Sequence, residues 1–159
     1  MEVLQPYYEL AGTAAVTLMG LLFVVIALAA EGLGPDDKRM SGTFLTPTAV
    51  HLGVVFLIAL LALSPEGDRL ILPFGLIAVI GVVYSLVIAL KAASTDDAVG
   101  ALFHGVIPCV CYVGILTAAW LSMTSARQAH LVLRAVSALL LVVGMRNTWA
   151  VAFEVIRRK

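Results

Sequence analysis

Charge is what this sequence lacks most. Charged residues fill 13% of its 159 positions, against roughly 25% in soluble domains. Hydrophobic residues reach 62%, and a chain this short builds no core large enough to hide them from water. The two signs balance at ten basic and ten acidic residues, so no overall field draws in nucleic acid. Cysteine occurs only at Cys109 and Cys111, both inside an apolar run. Two residues apart on a helix, they point to nearly opposite faces, which suits neither a disulfide nor a shared metal. They read as small apolar fillers. No Gly-rich phosphate loop, zinc-protease helix motif or nucleophile elbow is present. The short polar segments leave no room for a soluble catalytic domain, which argues against an enzyme.

What remains is apolar length. A spanning helix needs about 20 predominantly apolar residues. Five segments approach that, at about 10–30, 46–64, 70–90, 101–121 and 131–155. The chain therefore reads as all-α, a single membrane domain built as a five-helix transmembrane bundle with the lipid bilayer as its solvent. Gly32 to Arg39 reads as a turn-forming charged loop. Ser64 to Asp68 reads as a tight turn between antiparallel helices. Ser94-Thr95-Asp96-Asp97 reads as a helix start, with acids at its N-terminus. The first run ends in small residues like a signal-peptide cleavage site, but its n-region has no Lys or Arg. It is expected to be a retained helix.

Basic residues orient such a bundle. Lys38, Arg39, Lys91, Arg157, Arg158 and Lys159 fall on one side, Arg69 and Arg127 on the other. The richer side is expected to be cytoplasmic, giving N-out and C-in.

Small residues recur at four-residue spacing in Gly81, Ser85, Ala89 and in Gly114, Ala118, Ser122. Such lines let helix backbones approach closely in lipid. Internal packing is the plain reading, and a homo-oligomer contact the alternative.

Polar groups at lipid depth are where a function would sit, because a charge there costs about 2.5–3.5 kcal/mol on the insertion scale. Arg146 is the clearest case. It lies 11 residues before Arg157, roughly 16 Å along a helix. Asn147 follows it, and Glu154 shares the face of Asn147. The expected topology brings Glu31, His51 and His104 to the same half of the bilayer. Arg146, Asn147, His51, His104, Glu154 and Glu31 thus form the candidate binding or permeation cluster. An Arg with amide and imidazole partners binds anions. Two histidines can relay protons. They could also ligate a b-type haem, although no motif supports it and the expected cofactor is none. Pro108 must leave the carbonyl of His104 without its usual helical partner, a cause of kinks. On the opposite side, Glu9 and Arg134 are placed to form a structural ion pair, with His130 four residues before Arg134. Tyr7, Tyr8 and Trp120 fit an interfacial aromatic belt, and Trp149 less well.

The stretch Gly12-Thr13-Ala14-Ala15-Val16-Thr17-Leu18-Met19-Gly20-Leu21-Leu22-Phe23-Val24 resembles the first helix of a group of small bacterial integral membrane proteins of unassigned function. Arg146-Asn147-Thr148-Trp149 is similar to their last helix. The resemblance implies a bacterial inner-membrane origin and carries no activity across. The sequence therefore leads to a small oligomeric channel or transporter-like protein for a small ion or proton, using the intramembrane polar cluster. A non-catalytic assembly or regulatory subunit with a membrane protein partner comes second, and a haem-binding redox protein third.

Overall fold

The computed structural model describes residues 4–30, 35–64, 71–93 and 98–157. These form five helices: α1 (Gln5–Ala30), α2 (Pro35–Ala62), α3 (Ile71–Ala93), α4 (Ala98–Leu121) and α5 (Ala126–Arg157). There is no strand among the described residues. Helices α1 and α2 pack together, as do α3 and α4, and α5 joins the pairs by touching α1, α2 and α4.

The outer surface is apolar, unlike that of a soluble bundle. On α3, Leu76, Val79, Ile80, Val83, Leu86, Val87 and Leu90 are exposed. The inward face carries Phe74, Ala78, Gly81 and Ser85. The outward face of α3 is thus uniformly large and apolar, which suits contact with lipid, while its inward face includes the small residues that allow close packing. By length and composition Gln5–Ala27, Pro73–Ala93, Ala98–Leu121 and Ala126–Ala150 can each cross a membrane. In α2 the apolar part is shorter, Pro47–Ala62. Helix α2 is also heavily enclosed, with Thr48, His51, Leu52, Val55 and Ile58 fully buried. A helix lined by protein needs less apolar surface than one lined by lipid.

Several boundaries differ from those read by counting apolar residues. Helix α2 begins at Pro35 rather than at about residue 46, so part of the expected charged loop is helical. Proline at the first helical position, followed by Asp36 and Asp37, suits a helix start. Helix α5 begins at Ala126, where the Ser125 hydroxyl accepts from the backbone N–H of Gln128 at 3.4 Å. Helix α1 begins at Gln5, with Pro6 in its first turn. Counting apolar residues misses such polar first turns. The expected turn at Ser64 to Asp68 and the helix start at Ser94 to Asp97 fall, apart from Ser64, outside the described residues.

Both small-residue lines are used inside the protomer. Gly81 lies against the ring of Tyr112. Ala89 lies against Gly105, where a Cβ would sit 2.5 Å from that of Ala89. A Cβ on Gly114 would meet Val136 at 2.6 Å, and Ala118 is buried. These are the close approaches that small residues permit. Cys109 and Cys111 are free thiols, and Cys111 packs in the core.

Helix α4 is not uniform. Ala101–Val106 is a π-helical segment in which the N–H of Ile107 bonds to the carbonyl of Leu102. Pro108 gives the reason. It has no N–H for the carbonyl of His104, four residues back. A wider turn just before the proline accommodates the missing bond.

Candidate functional site

The π-helical segment carries Phe103 and His104. Across from it, α5 presents Arg146 and Asn147, and α2 presents His51. His51 and Asn147 are fully buried, His104 is buried and Arg146 is half-buried. The structure brings these four expected residues together.

Their hydrogen bonds define a direction. Nη1 of Arg146 donates to Oδ1 of Asn147 at 3.1 Å. That contact fixes the amide, so Nδ2 of Asn147 is the donor to Nδ1 of His104 at 3.2 Å. A neutral His104 then carries its proton on Nε2. Arg146 and Asn147 thus select the tautomer of a histidine on another helix. The guanidinium carbon of Arg146 also lies 3.8 Å from the centre of the Phe103 ring, a cation–π contact.

His51 sits one step deeper. Its Nδ1 is 2.8 Å from the hydroxyl of Tyr112. The His51 ring contacts the rings of Tyr112 at 5.7 Å and Tyr84 at 6.4 Å. It also neighbours the backbone carbonyl of His104, the group whose ordinary partner Pro108 removes. Its Nε2 nevertheless has no hydrogen-bond partner of full geometry. The hydroxyl of Ser85 on α3, also fully buried, has none either. Buried polar atoms left unpaired are uncommon and mark places where chemistry or a ligand is expected.

The cluster lies nearer the end of the bundle than counting to Arg157 implies. Phe103 is five residues past Ala98, the first residue of α4, roughly 7–8 Å along the axis. Gly105 is level with Ala89, two residues before Lys91 in the last turn of α3. Helix α5 runs on past this level to Arg157. Arg146 is therefore nearer the end of the bundle than its place along its own helix suggests. Of the other expected members, Glu31 and the side chain of Glu154 lie outside the described residues.

Tyr112 is the member sequence reading missed. It lies eight residues after His104, near the middle of an apolar run and far from any aromatic belt. That position was the available signal. A tyrosine at mid-span has a hydroxyl needing a buried partner.

A separate network ties α1 to α5 at the opposite end. The Tyr8 hydroxyl is 2.9 Å from Nδ1 of His130. The Tyr7 hydroxyl donates to the Arg134 carbonyl at 2.6 Å. The expected ion pair of Glu9 and Arg134 is not formed. Glu9 is exposed on the outer side of α1 and accepts from Gln5 at 2.8 Å. The two helices are instead joined by tyrosine hydroxyls that face inward. Tyr8 is fully buried and so is no belt residue, whereas Trp120 and Trp149 are exposed. Between the two networks lies an apolar layer with fully buried Ile115 and Leu140.

The residues do not fit a haem. A bis-histidine haem needs both imidazoles to reach one iron from opposite faces of a flat macrocycle. His51 is instead enclosed by two tyrosine rings. A Cβ on Gly144 would lie 2.7 Å from Leu52, so α2 and α5 are in close contact beside it. Among the described residues, no group of three His, Cys, Asp or Glu side chains could hold a metal ion.

Comparison of the chain with protein families, curated proteins and solved structures finds no match.

Proposed function

We propose that this integral membrane protein takes up and releases a proton at His51 and Tyr112, as a small channel or transporter-like protein. The observation that carries the reading is the placement of His51. It is fully buried and bonded through Nδ1 to Tyr112, with the backbone carbonyl of His104 beside it. Imidazole is the side chain whose unperturbed pKa lies near neutral pH. A phenol beside it supplies a second transferable proton. Asn147 and Arg146 are no relay. They hold His104 in one tautomer.

The proposed orientation is N-out and C-in, with all five helices crossing the bilayer and the cluster in the cytoplasmic half. The distribution of Lys and Arg supports it. A bacterial inner membrane is the proposed location, on the resemblance of residues 12–24 and 146–149. Purified protein in liposomes loaded with a pH-sensitive dye tests the activity. Proton flux that falls in His51→Asn and Tyr112→Phe is expected. Wild-type flux no greater than that of empty liposomes would end the proposal. Orientation is tested by single cysteines in a cysteine-free background. Lys159→Cys should react with an impermeant maleimide only from the cytoplasmic side.

The apolar layer at Ile115 and Leu140 favours a second reading. It separates the two polar networks, as expected of a non-catalytic assembly or regulatory subunit whose buried cluster is structural. Crosslinking in native membranes would then recover one constant partner protein.

A further inference from the structure

We infer that Arg146, held by Phe103 and Asn147, binds a phosphate group at the end of the bundle where α4 begins. The inference goes beyond the proton reading and does not depend on it.

The guanidinium is fixed in place. Its carbon stacks on Phe103 at 3.8 Å and one nitrogen donates to Asn147 at 3.1 Å. Only one of its five N–H donors is used by that bond. Arg146 has no ion pair among the described residues. A half-buried cation in low dielectric is costly without a counter-ion. A guanidinium held in one plane is preorganised for phosphate, whose oxygens accept two parallel N–H bonds.

Position selects the ligand class. The site is roughly 7–8 Å from the start of α4 at 1.5 Å per residue, near enough to the end of the bundle for a headgroup phosphate to reach the fixed guanidinium. About one and two turns further along α5, Trp149 and Phe153 are exposed, with their rings in tilted contact at 5.8 Å. Exposed aromatics of this kind mark the membrane interface. Lys91 stands at the same end of α3. A phosphate at this level comes from a phospholipid headgroup or from free phosphate, and both present the same oxygens.

The test places the full chain in nanodiscs of phosphatidylcholine with a minor fraction of phosphatidylglycerol. Native mass spectrometry then counts the retained lipid. Wild-type protein should enrich phosphatidylglycerol about tenfold, the worth of one charge-assisted contact. Arg146→Gln should lose the enrichment, and Arg146→Lys should keep part of it. Enrichment that survives millimolar inorganic phosphate identifies the lipid headgroup as the source. Phosphate that displaces the lipid and raises the Tm of the wild type, but not of Arg146→Gln, identifies the free ion. Either result upholds the site. Wild-type protein with no enrichment and no phosphate-dependent Tm shift overturns it, as does enrichment unchanged in Arg146→Gln. If Arg146→Gln fails to fold, retention equal to wild type in both Arg146→Lys and Phe103→Leu overturns it.

Discussion

Gly81 of α3 lies so close to the ring of Tyr112 of α4 that no Cβ fits between them. The contact sets where the Tyr112 hydroxyl stands, 2.8 Å from Nδ1 of His51. A small residue on one helix thus positions a proton-bearing group for a second helix through a third.

Gly81→Ala should therefore act at a distance. The added methyl must displace the Tyr112 ring, at about 1–3 kcal/mol for overpacking. A lower Tm in detergent is expected, together with the loss of the His51–Tyr112 bond. The imidazole nitrogen shifts of His51 in NMR spectra report that bond. Unchanged shifts would show that the glycine does not position the tyrosine.

Gly105→Ala should cost more than Gly12→Ala. The new Cβ at 105 would meet the Cβ and the backbone Cα of Ala89 at 2.5 and 2.6 Å, whereas that at 12 meets only a Cβ at 3.1 Å. Backbone cannot rotate away as a side chain can. A Tm loss for Gly105→Ala at or below that of Gly12→Ala would contradict the close crossing of α3 and α4.

Asn147→Leu removes the donor to Nδ1 of His104 and the acceptor for Arg146. A buried nitrogen left unsatisfied costs about 1–3 kcal/mol. The variant should lose that much in unfolding measurements, and His104 should sample both tautomers. The two nitrogen shifts of His104 check this, since a mixed tautomer averages them.

Tyr8→Phe should lose about 1 kcal/mol, the net worth of one buried hydrogen bond to His130. Glu9→Gln should be neutral within about 0.5 kcal/mol, because an exposed surface group contributes little. An ion pair of Glu9 with Arg134 would reverse that order, so a double-mutant cycle on Glu9 and Arg134 should give no coupling.

Legibility differed between fold and site for a physical reason. Apolar runs reveal helices because lipid imposes a length. They do not reveal helix ends, because first turns such as Pro35-Asp36-Asp37 and Ser125 to Gln128 are polar. The grouping of His51, His104, Arg146 and Asn147 followed from their places along the helices. Tyr112 was overlooked because its hydroxyl sits on an otherwise apolar side chain within an apolar run. The Glu9 and Arg134 pairing failed because spacing along a helix gives depth but not which side chain turns inward.

The amino-acid sequence alone determined that this protein is helical and suited to lipid. Composition and run length decide that without any contact between helices. It also determined that Pro108 would leave the His104 carbonyl without its usual helical partner, a consequence of covalent structure. Only the tertiary structure decided that the missing bond is absorbed by a π-helical segment. Only it decided that His51 meets Tyr112, and that Arg146 acts on His104 through Asn147. Those outcomes depend on how helices rotate against one another. Contacts such as Gly81 with Tyr112 and Gly105 with Ala89 fix that rotation, and they join residues far apart in the chain.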